Sequence, residues 1–420
     1  MPDINGAAIA VFLFLCDLLP YSSTRLGIHQ KKEGRVTPFT FNTTRSVRFG
    51  VGLISQLGNI VQAEIGGQVL LVTDSGMVAT GMVDRVQAIL AEAGVSVTLF
   101  SDVVADPPEM VVLAAVAATK AAQIDVVIGF GGGSSLDVAK LAAVLGRSTQ
   151  ALPEIYGIGN VIGSRLPLIL IPTTSGTGSE VTPISIVTTG KSEKMGVVSP
   201  ILIPDIALLD PELTLGLPAE ITAATGIDAM VHGIEAYASA GANNNPVSKA
   251  LAKEALGLMG AALETAVHEP SDIDARSDML LGSLLAGQAF ANSPVAAVHA
   301  LAYPIGGHYK VPHGLSNALV LPQVLRFNSV TAPQPYAEIA TCVFPNIVGL
   351  GTRAAAGAFA EAMADLCKRC GLQQTLRELG IAHDELPMLA RDAMNQTRLL
   401  VNNPRSVTEN DALAIYEAAW

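Results

Sequence analysis

The sequence predicts an α/β domain built on a parallel sheet, followed by an all-helical domain. Two observations lead there. From Arg48 to about Asp210, short apolar runs alternate with helical patterns, which makes βαβ units and a sheet covered on both faces. After Asp210-Pro211 the strand signals stop and Ala/Leu-rich helical stretches take over.

In order, Gln68–Thr73 (QVLLVT) reads as a buried strand and Val83–Ala93 as the helix after it. Val95–Phe100 is the next strand, with a helix from Glu109 to Ala122. Ile124–Phe130 (IDVVIGF) leads into a helix over Leu136–Leu145, and Leu168–Ile171 ends in a Thr/Ser/Gly loop. The helical part comprises Ile221–Ser239, Pro246–Val267, Asp274–Ala291, Ala354–Gly371, Leu372–Leu379 and Asp411–Ala419. The resulting division is 1–35, 36–213 and 214–420.

Residues 1–35 stand apart. Their apolar run, residues 7–19, is broken by Asp17, is too short to span a bilayer, and lacks the basic flank and cleavage site of a secretory signal. A buried helix is one reading. The other is that Lys31-Lys32-Glu33-Gly34 is codable by a purine tract of ribosome-binding composition and Val36 by GTG, so that the working protein begins at Val36.

Composition narrows the function. Half of the 420 residues are apolar, enough for two or three domains of about 100–200 residues each. With 25 basic against 37 acidic residues the net charge is −12, which repels phosphate backbones and argues against nucleic acid. Four cysteines exclude a disulfide framework and fit a reducing cytoplasm. No apolar span approaches about 20 residues, so no membrane role is expected.

Two loops carry the first chemistry. Gly131-Gly132-Gly133-Ser134-Ser135 follows a strand and opens a helix, so backbone N–H groups and the helix dipole can meet a pyrophosphate there. It is not the G-x-G-x-x-G fingerprint, and a tight strand-to-helix turn is the plainer alternative. Asp74, ending an earlier strand, could accept bonds from an adenosine ribose and repel a 2′-phosphate, though Asp after a strand is also ordinary turn chemistry. The second loop, Thr173 to Thr182 (TTSGTGSEVT), sets small donors beside closely approachable backbone. Gly190-Lys191-Ser192 has the tail of a Walker A motif, but Ser185 stands where its first glycine belongs.

A further constellation is rich in histidine. Asp228 and His232 are four apart in a helical pattern and share a face. His299 and His313 bracket HALAYPIGGHYKVPH, a Pro/Gly-interrupted turn, with His308 inside it and able to face the same cleft. One carboxylate and three neutral imidazoles suit Fe(II) or Zn(II), and the absence of Cys argues against a structural zinc. Each histidine alone reads equally as a core or surface residue. Cys367 and Cys370 form a C-x-x-C within a helical pattern and read as ordinary helix positions.

In combination, GFGGGSSLDVAK, PTTSGTGSEVT, TGIDAMVHGIEAY and HALAYPIGGHYKVPHGLSNALVLP make the chain resemble the iron-containing, group III alcohol dehydrogenases from about Thr37 to Trp420. The resemblance implies an N-terminal dinucleotide-binding domain and a helical C-terminal domain of the dehydroquinate synthase-like fold, with NAD and a divalent metal, Fe(II) before Zn(II), in the cleft. Asp228, His232, His299 and His313 match the metal ligands. Gly131, Gly132, Gly133 and Ser134 match the phosphate loop, with Ser135 and Asp137 beside them. Thr173, Thr174, Thr177 and Thr182 match the loop over the cofactor, Asp74 the acid favouring NAD, and Lys194 a cofactor-facing lysine. Asp106 stands where the family usually has Asn before Pro, and Tyr303 where many members carry a further His.

The implied activity is hydride transfer between NAD(H) and a small alcohol or aldehyde, in a cytoplasmic homodimer or larger homo-oligomer. Competing readings are a hydroxyacid–oxoacid transhydrogenase that retains NAD, a dehydroquinate synthase-like lyase, and a non-catalytic partner. The lyase wants a basic pocket, and the 299–313 segment offers only Lys310.

Overall fold

The computed structural model describes residues 37–420 apart from Ile65, Lys191 and Ser192. The expectations for residues 1–35 and for a start at Val36 lie outside the described residues.

The strands are β1 (Ser46–Phe49), β2 (Val69–Asp74), β3 (Val97–Val103), β4 (Val126–Gly131), β5 (Gly157–Ile158), β6 (Leu168–Pro172), β7 (Ile184–Thr189), β8 (Glu193–Val198) and β9 (Ile206–Leu209). Six of them form one sheet in the order β1-β9-β6-β4-β2-β3, parallel at every pairing. Helices α1 (Leu57–Glu64), α2 (Ser75–Ala79), α3 (Met82–Glu92), α4 (Glu109–Ala121) and α5 (Gly133–Arg147) fill the crossovers.

The apolar runs are explained by what covers the sheet. Val69 and Leu71 of β2 and Ile128 and Phe130 of β4 pack with Leu57, Val83 and Leu90 on one face. Leu70, Val72 and Val127 pack with Val112, Leu136 and Leu141 on the other. Successive side chains point to opposite faces, and here both faces are buried, so an unbroken apolar run is the stable pattern. Each such side chain contributes about 1.5–3 kcal/mol relative to exposure.

Because β2, β4 and β6 are adjacent and parallel, their carboxyl ends meet at one edge. Asp74, Gly131 and the Thr173 loop are thereby neighbours, as ligand sites of open α/β sheets require. A second sheet, in the order β5-β8-β7, was not expected. Its β7–β8 hairpin pairs Ile184 with Val198 and Thr189 with Glu193. The Walker-like tail begins at Gly190, just past the end of β7, and opens no helix.

The rest is helical: α6 (Ala219–Ala238), α7 (Pro246–His268), α8 (Ile273–Asn292), α9 (Ala297–Tyr309), α10 (His313–Ser329), α11 (Pro333–Val343), α12 (Thr352–Arg369), α13 (Leu386–Ala393), α14 (Thr397–Leu400) and α15 (Glu409–Ala419). Two expectations need correction. Leu372–Leu379 is not a helix beyond a 3₁₀ turn at Arg377–Leu379, since Gly371 ends α12 with φ +78° and Leu376 N–H bonds the Ala419 carbonyl instead. The segment between His299 and His313 is not a turn but mostly α9, which continues through Pro304, and only residues 310–312 connect it to α10. The two parts of the chain join where Val181, Ala207 and Leu209 pack against Leu280 and Leu284 of α8.

Candidate active site

Asp228 and His232 lie one turn apart on α6, His299 and Tyr303 one turn apart on α9, and His313 opens α10. Donor atoms of Asp228, His232 and His299 all fall within 4.8 Å of one another, and all three residues are buried. His313 stands at the rim, its Nε2 3.6 Å from Asp228 Oδ1 and its side chain 41% exposed. The imidazoles form a file, with His232 and His299 stacked at 4.9 Å and His299 tilted against His313 at 5.3 Å. Phe290 stacks on the far face of His232 at 4.2 Å.

Hydrogen bonds at Nδ1 turn Nε2 of two rings inward. His232 Nδ1 meets the Gly176 carbonyl at 3.2 Å, and His299 Nδ1 meets Glu235 Oε2 at 2.7 Å. Burial pushes His232 down to about 3, keeping it neutral and able to offer a lone pair. For Asp228, burial works toward a higher value, but His232, His313, His299 and the Asn317 amide together hold the carboxyl below its usual range. The set fits a divalent cation of borderline softness: an ionised carboxylate and neutral imidazoles converge, and the Asn317 Oδ1 among them is buried without a partner.

Two residues here went unread in the sequence. Glu235, on the same face of α6 at seven residues from Asp228, accepts from Ala296 N (2.9 Å), Val298 N (2.7 Å) and His299. It both caps the start of α9 and fixes the His299 tautomer. Asn317, four residues after His313, donates to Asp228 Oδ1 at 2.6 Å, with His299 Nε2 at 3.4 Å and His313 Nε2 at 3.3 Å. Both lie inside motifs already noted, at helical spacing from the ligands, and that spacing was the available signal. His308 belongs elsewhere: its Nε2 bonds Asp392 Oδ2 at 2.7 Å on the surface, so it does not face the cleft.

The cluster opens on a cavity of about 580 Å³. Asp228, His232, His299, His313 and Tyr303 line one side, and Gly133, Ser134, Thr177, Thr182, Asp106 and Lys194 line the other. Helix α5 starts at this cavity without a side-chain cap, so its first N–H groups are available to a phosphate. The glycines are needed for closeness: a Cβ at Gly133 would lie 2.7 Å from Thr177 Cγ2, and Gly131 has φ +146°.

Asp74, Ser135, Thr173 and Thr174 flank the loop without lining the cavity. Asp74 Oδ1 caps α2 through Met77 N, and its Oδ2 accepts from Ser135 Oγ at 3.1 Å. Thr173 is buried against Met77, and Thr174 lies beside Gly132. Asp137 turns its carboxylate to Ser179 Oγ (2.7 Å) and Ile186 N (2.9 Å), so it braces the second loop. Asp106 sits in the left-handed region at φ +53°, which Asn and Asp tolerate best, and pairs with Lys194 Nζ at 2.5 Å. Burial raises the Tyr303 phenol, which keeps its hydroxyl protonated.

The comparisons with known proteins decide the family. The model of iron-containing alcohol dehydrogenases matches residues 44–211, and that of the C-terminal part of the Fe-containing alcohol dehydrogenase family matches residues 222–420. The chain belongs to the iron-containing alcohol dehydrogenase family. Among relatives, it is 42% identical over 377 residues to long-chain-alcohol dehydrogenase 1 of Geobacillus thermodenitrificans, covering 88% of this chain and 94% of that one. It is 37% identical over 375 residues to 1,3-propanediol dehydrogenase of Klebsiella pneumoniae, covering 89% and 96%. The crystal structure of a 1,3-propanediol oxidoreductase superposes with a TM-score of 0.88 at 36% identity, over 91% of this chain and all of that one. A sulfoacetaldehyde reductase of Bifidobacterium kashiwanohense, solved with NAD+, superposes at 0.81 with 29% identity, over 92% and 99%. This iron-containing alcohol dehydrogenase thus shares its whole described fold with enzymes of the family.

Proposed function

We propose that this family member is an NAD(H)-linked, metal-dependent dehydrogenase of a small alcohol, acting in reverse as an aldehyde reductase. The observation that carries the reading is a single cavity onto which both an uncapped helix start and a buried Asp/His donor set open. Bound there, a divalent cation supplies Lewis acidity toward the substrate oxygen and NAD(H) takes or gives the hydride. Asp228, His232, His299 and His313 would hold the cation, with Fe(II) preferred over Zn(II) on the family's name.

The chain's own groups then have distinct tasks. Gly131, Gly132, Gly133 and Ser134 receive the pyrophosphate on backbone N–H groups, and Ser135 orients Asp74. Asp74 accepts from the adenosine ribose and repels a 2′-phosphate. Thr173, Thr174, Thr177 and Thr182 close over the nucleotide, Asp137 braces that loop, and the Asp106–Lys194 pair flanks the nicotinamide end. Tyr303, 5.8 Å from the His313 ring, donates to the developing oxyanion. The walls contributed by Phe290 and Val295 keep the reacting centre partly dry.

The same reading divides the chain near residue 213, supported by the last strand ending at Leu209 and the first long helix starting at Ala219. It places the enzyme in the cytoplasm, supported by the free thiols of Cys342, Cys367 and Cys370. It also takes the enzyme for a homodimer or larger homo-oligomer, on the family resemblance. The lyase alternative loses support because Lys310 is exposed and bonds the Gly307 carbonyl.

The test is metal-loaded turnover of short aldehydes with each reduced nucleotide. NADH is expected to exceed NADPH by well over tenfold in kcat/KM, about 1.4 kcal/mol or more, and Asp74→Gly to narrow the gap. Equal efficiency with both nucleotides would remove Asp74 from its role. NAD retained through gel filtration, with free NADH unused, would replace the reading with a transhydrogenase.

A further inference from the structure

Most charged side chains lining the cavity are already engaged. Lys194 is paired with Asp106. Asp137 accepts from Ser179 and Ile186, and Asp228 belongs to the donor cluster. Arg398 is the exception. It reaches the cavity from α14, is exposed there, and forms no ion pair among the described residues.

Its position is defined by what it touches. A Cβ on Gly196 of β8 would lie 3.5 Å from Arg398 Nη1 and 3.8 Å from Nη2, so the bare glycine leaves room for the guanidinium to reach across to the small sheet. It lines the same cavity as Tyr303. Tyr303 in turn stands beside His313. Apolar side chains of Ile158, Ile186, Val198, Val295 and Leu399 line the same cavity.

A guanidinium is always charged and presents its donors in a planar fork that matches a carboxylate or sulfonate with two parallel bonds. In a cavity whose other charged side chains are engaged, on a protein of net charge −12, such a fork without an ion-pair partner among the described residues is a specific feature. A purely aliphatic substrate tail would leave it without a partner.

We infer that Arg398 is a specificity-determining residue that receives an anionic group, carboxylate or sulfonate, at the end of the substrate remote from the reacting carbonyl. This rests on the proposed aldehyde reductase activity, whose substrate class it narrows to short aldehydes with an anionic tail and the corresponding hydroxy acids.

The experiment compares 4-oxobutanoate, its neutral amide 4-oxobutanamide, and a sulfonate aldehyde of the same length on the metal- and NADH-loaded enzyme. The anionic members are expected to lead by about tenfold or more in kcat/KM, mainly through KM, with the lead shrinking as salt rises. Arg398→Met should bring the ratio close to one, and Arg398→Lys should restore part of it. Three results would overturn the inference: no anionic preference in the unsubstituted enzyme, an equal fall for charged and neutral aldehydes in Arg398→Met, or a raised KM for NADH with the aldehyde ratio intact. A second measurement needs no turnover. Butyrate should raise the Tm of the NADH-loaded protein more than butyramide does, and Arg398→Met should abolish the difference. If no aldehyde is reduced, the proposed activity fails while this shift still decides Arg398. Equal shifts for the two ligands would refute its role.

Discussion

Replacing Glu235 by glutamine removes one charge and almost no volume, which makes it a sharp probe of how the donor cluster is held. Oε2 accepts from both Ala296 N and His299 Nδ1, and Oε1 accepts from Val298 N. A glutamine has one carbonyl oxygen and can satisfy only one of these places. Kept toward His299, it turns its NH2 against the Val298 N–H and leaves a buried donor unpaired, at a cost of about 1–3 kcal/mol. The bonds that survive are no longer charge-assisted, which roughly halves their strength. The metal-free protein is therefore expected to lose about 2–4 kcal/mol in urea unfolding. His299 also becomes a weaker ligand, because its N–H partner is neutral, and affinity for Fe(II) or Zn(II) in chelator competition should fall about 10–100-fold. Glu235→Ala should lose more on both counts. Wild-type metal affinity in Glu235→Gln, even with lowered stability, would show that the carboxylate only caps α9 and would refute its part in holding His299.

Three more outcomes follow from the site. His299→Ala should lose nearly all bound metal and His313→Ala only part, since His313 is the half-exposed member outside the three buried donors; equal metal content measured by elemental analysis in the two variants would reverse that ranking. Tyr303→Phe keeps the ring and removes the donor, so turnover should drop about 10²-fold, whereas wild-type rates across roughly pH 6–10 would reduce Tyr303 to packing. Lys140, fully buried, holds Thr182 Oγ1 at 3.2 Å and the Ile184 carbonyl at 2.7 Å, with Asp137 Oδ1 at 3.7 Å. Lys140→Met leaves Asp137 and Glu180 buried without that charge, at about 3–5 kcal/mol. Burial raises Glu180 from 4.5 to about 7, with Lys140 opposing, so the folded state keeps a proton that the unfolded chain has released. Stability from this group therefore falls as pH rises from about 4.5 to 7, and denaturation at several pH values should show a steeper fall in the variant.

The sequence by itself determined the α/β-then-helical order, the strands that carry Asp74, Gly131 and Thr173, and the Asp228–His232 pair. These are local statements: unbroken apolar runs mark strands buried on both faces, glycine marks close approach, and a spacing of four marks one helix face. Tertiary structure decided the rest. Pro304, Gly306 and Gly307 read as a break, yet α9 runs through them, because Glu235 from α6 anchors its start and its inward face is buried. Tyr303 and His308 lie four and nine residues after His299 along that helix, but only the direction of each face sends His308 to Asp392 on the surface and Tyr303 into the cavity. Glu235, Asn317 and Arg398 gain their meaning from contacts 64, 89 and 202 residues away along the chain, toward His299, Asp228 and Gly196. Periodicity reports which side of an element is buried; it carries no information about which distant polar group meets that side, and the chemistry of this site depends on those meetings.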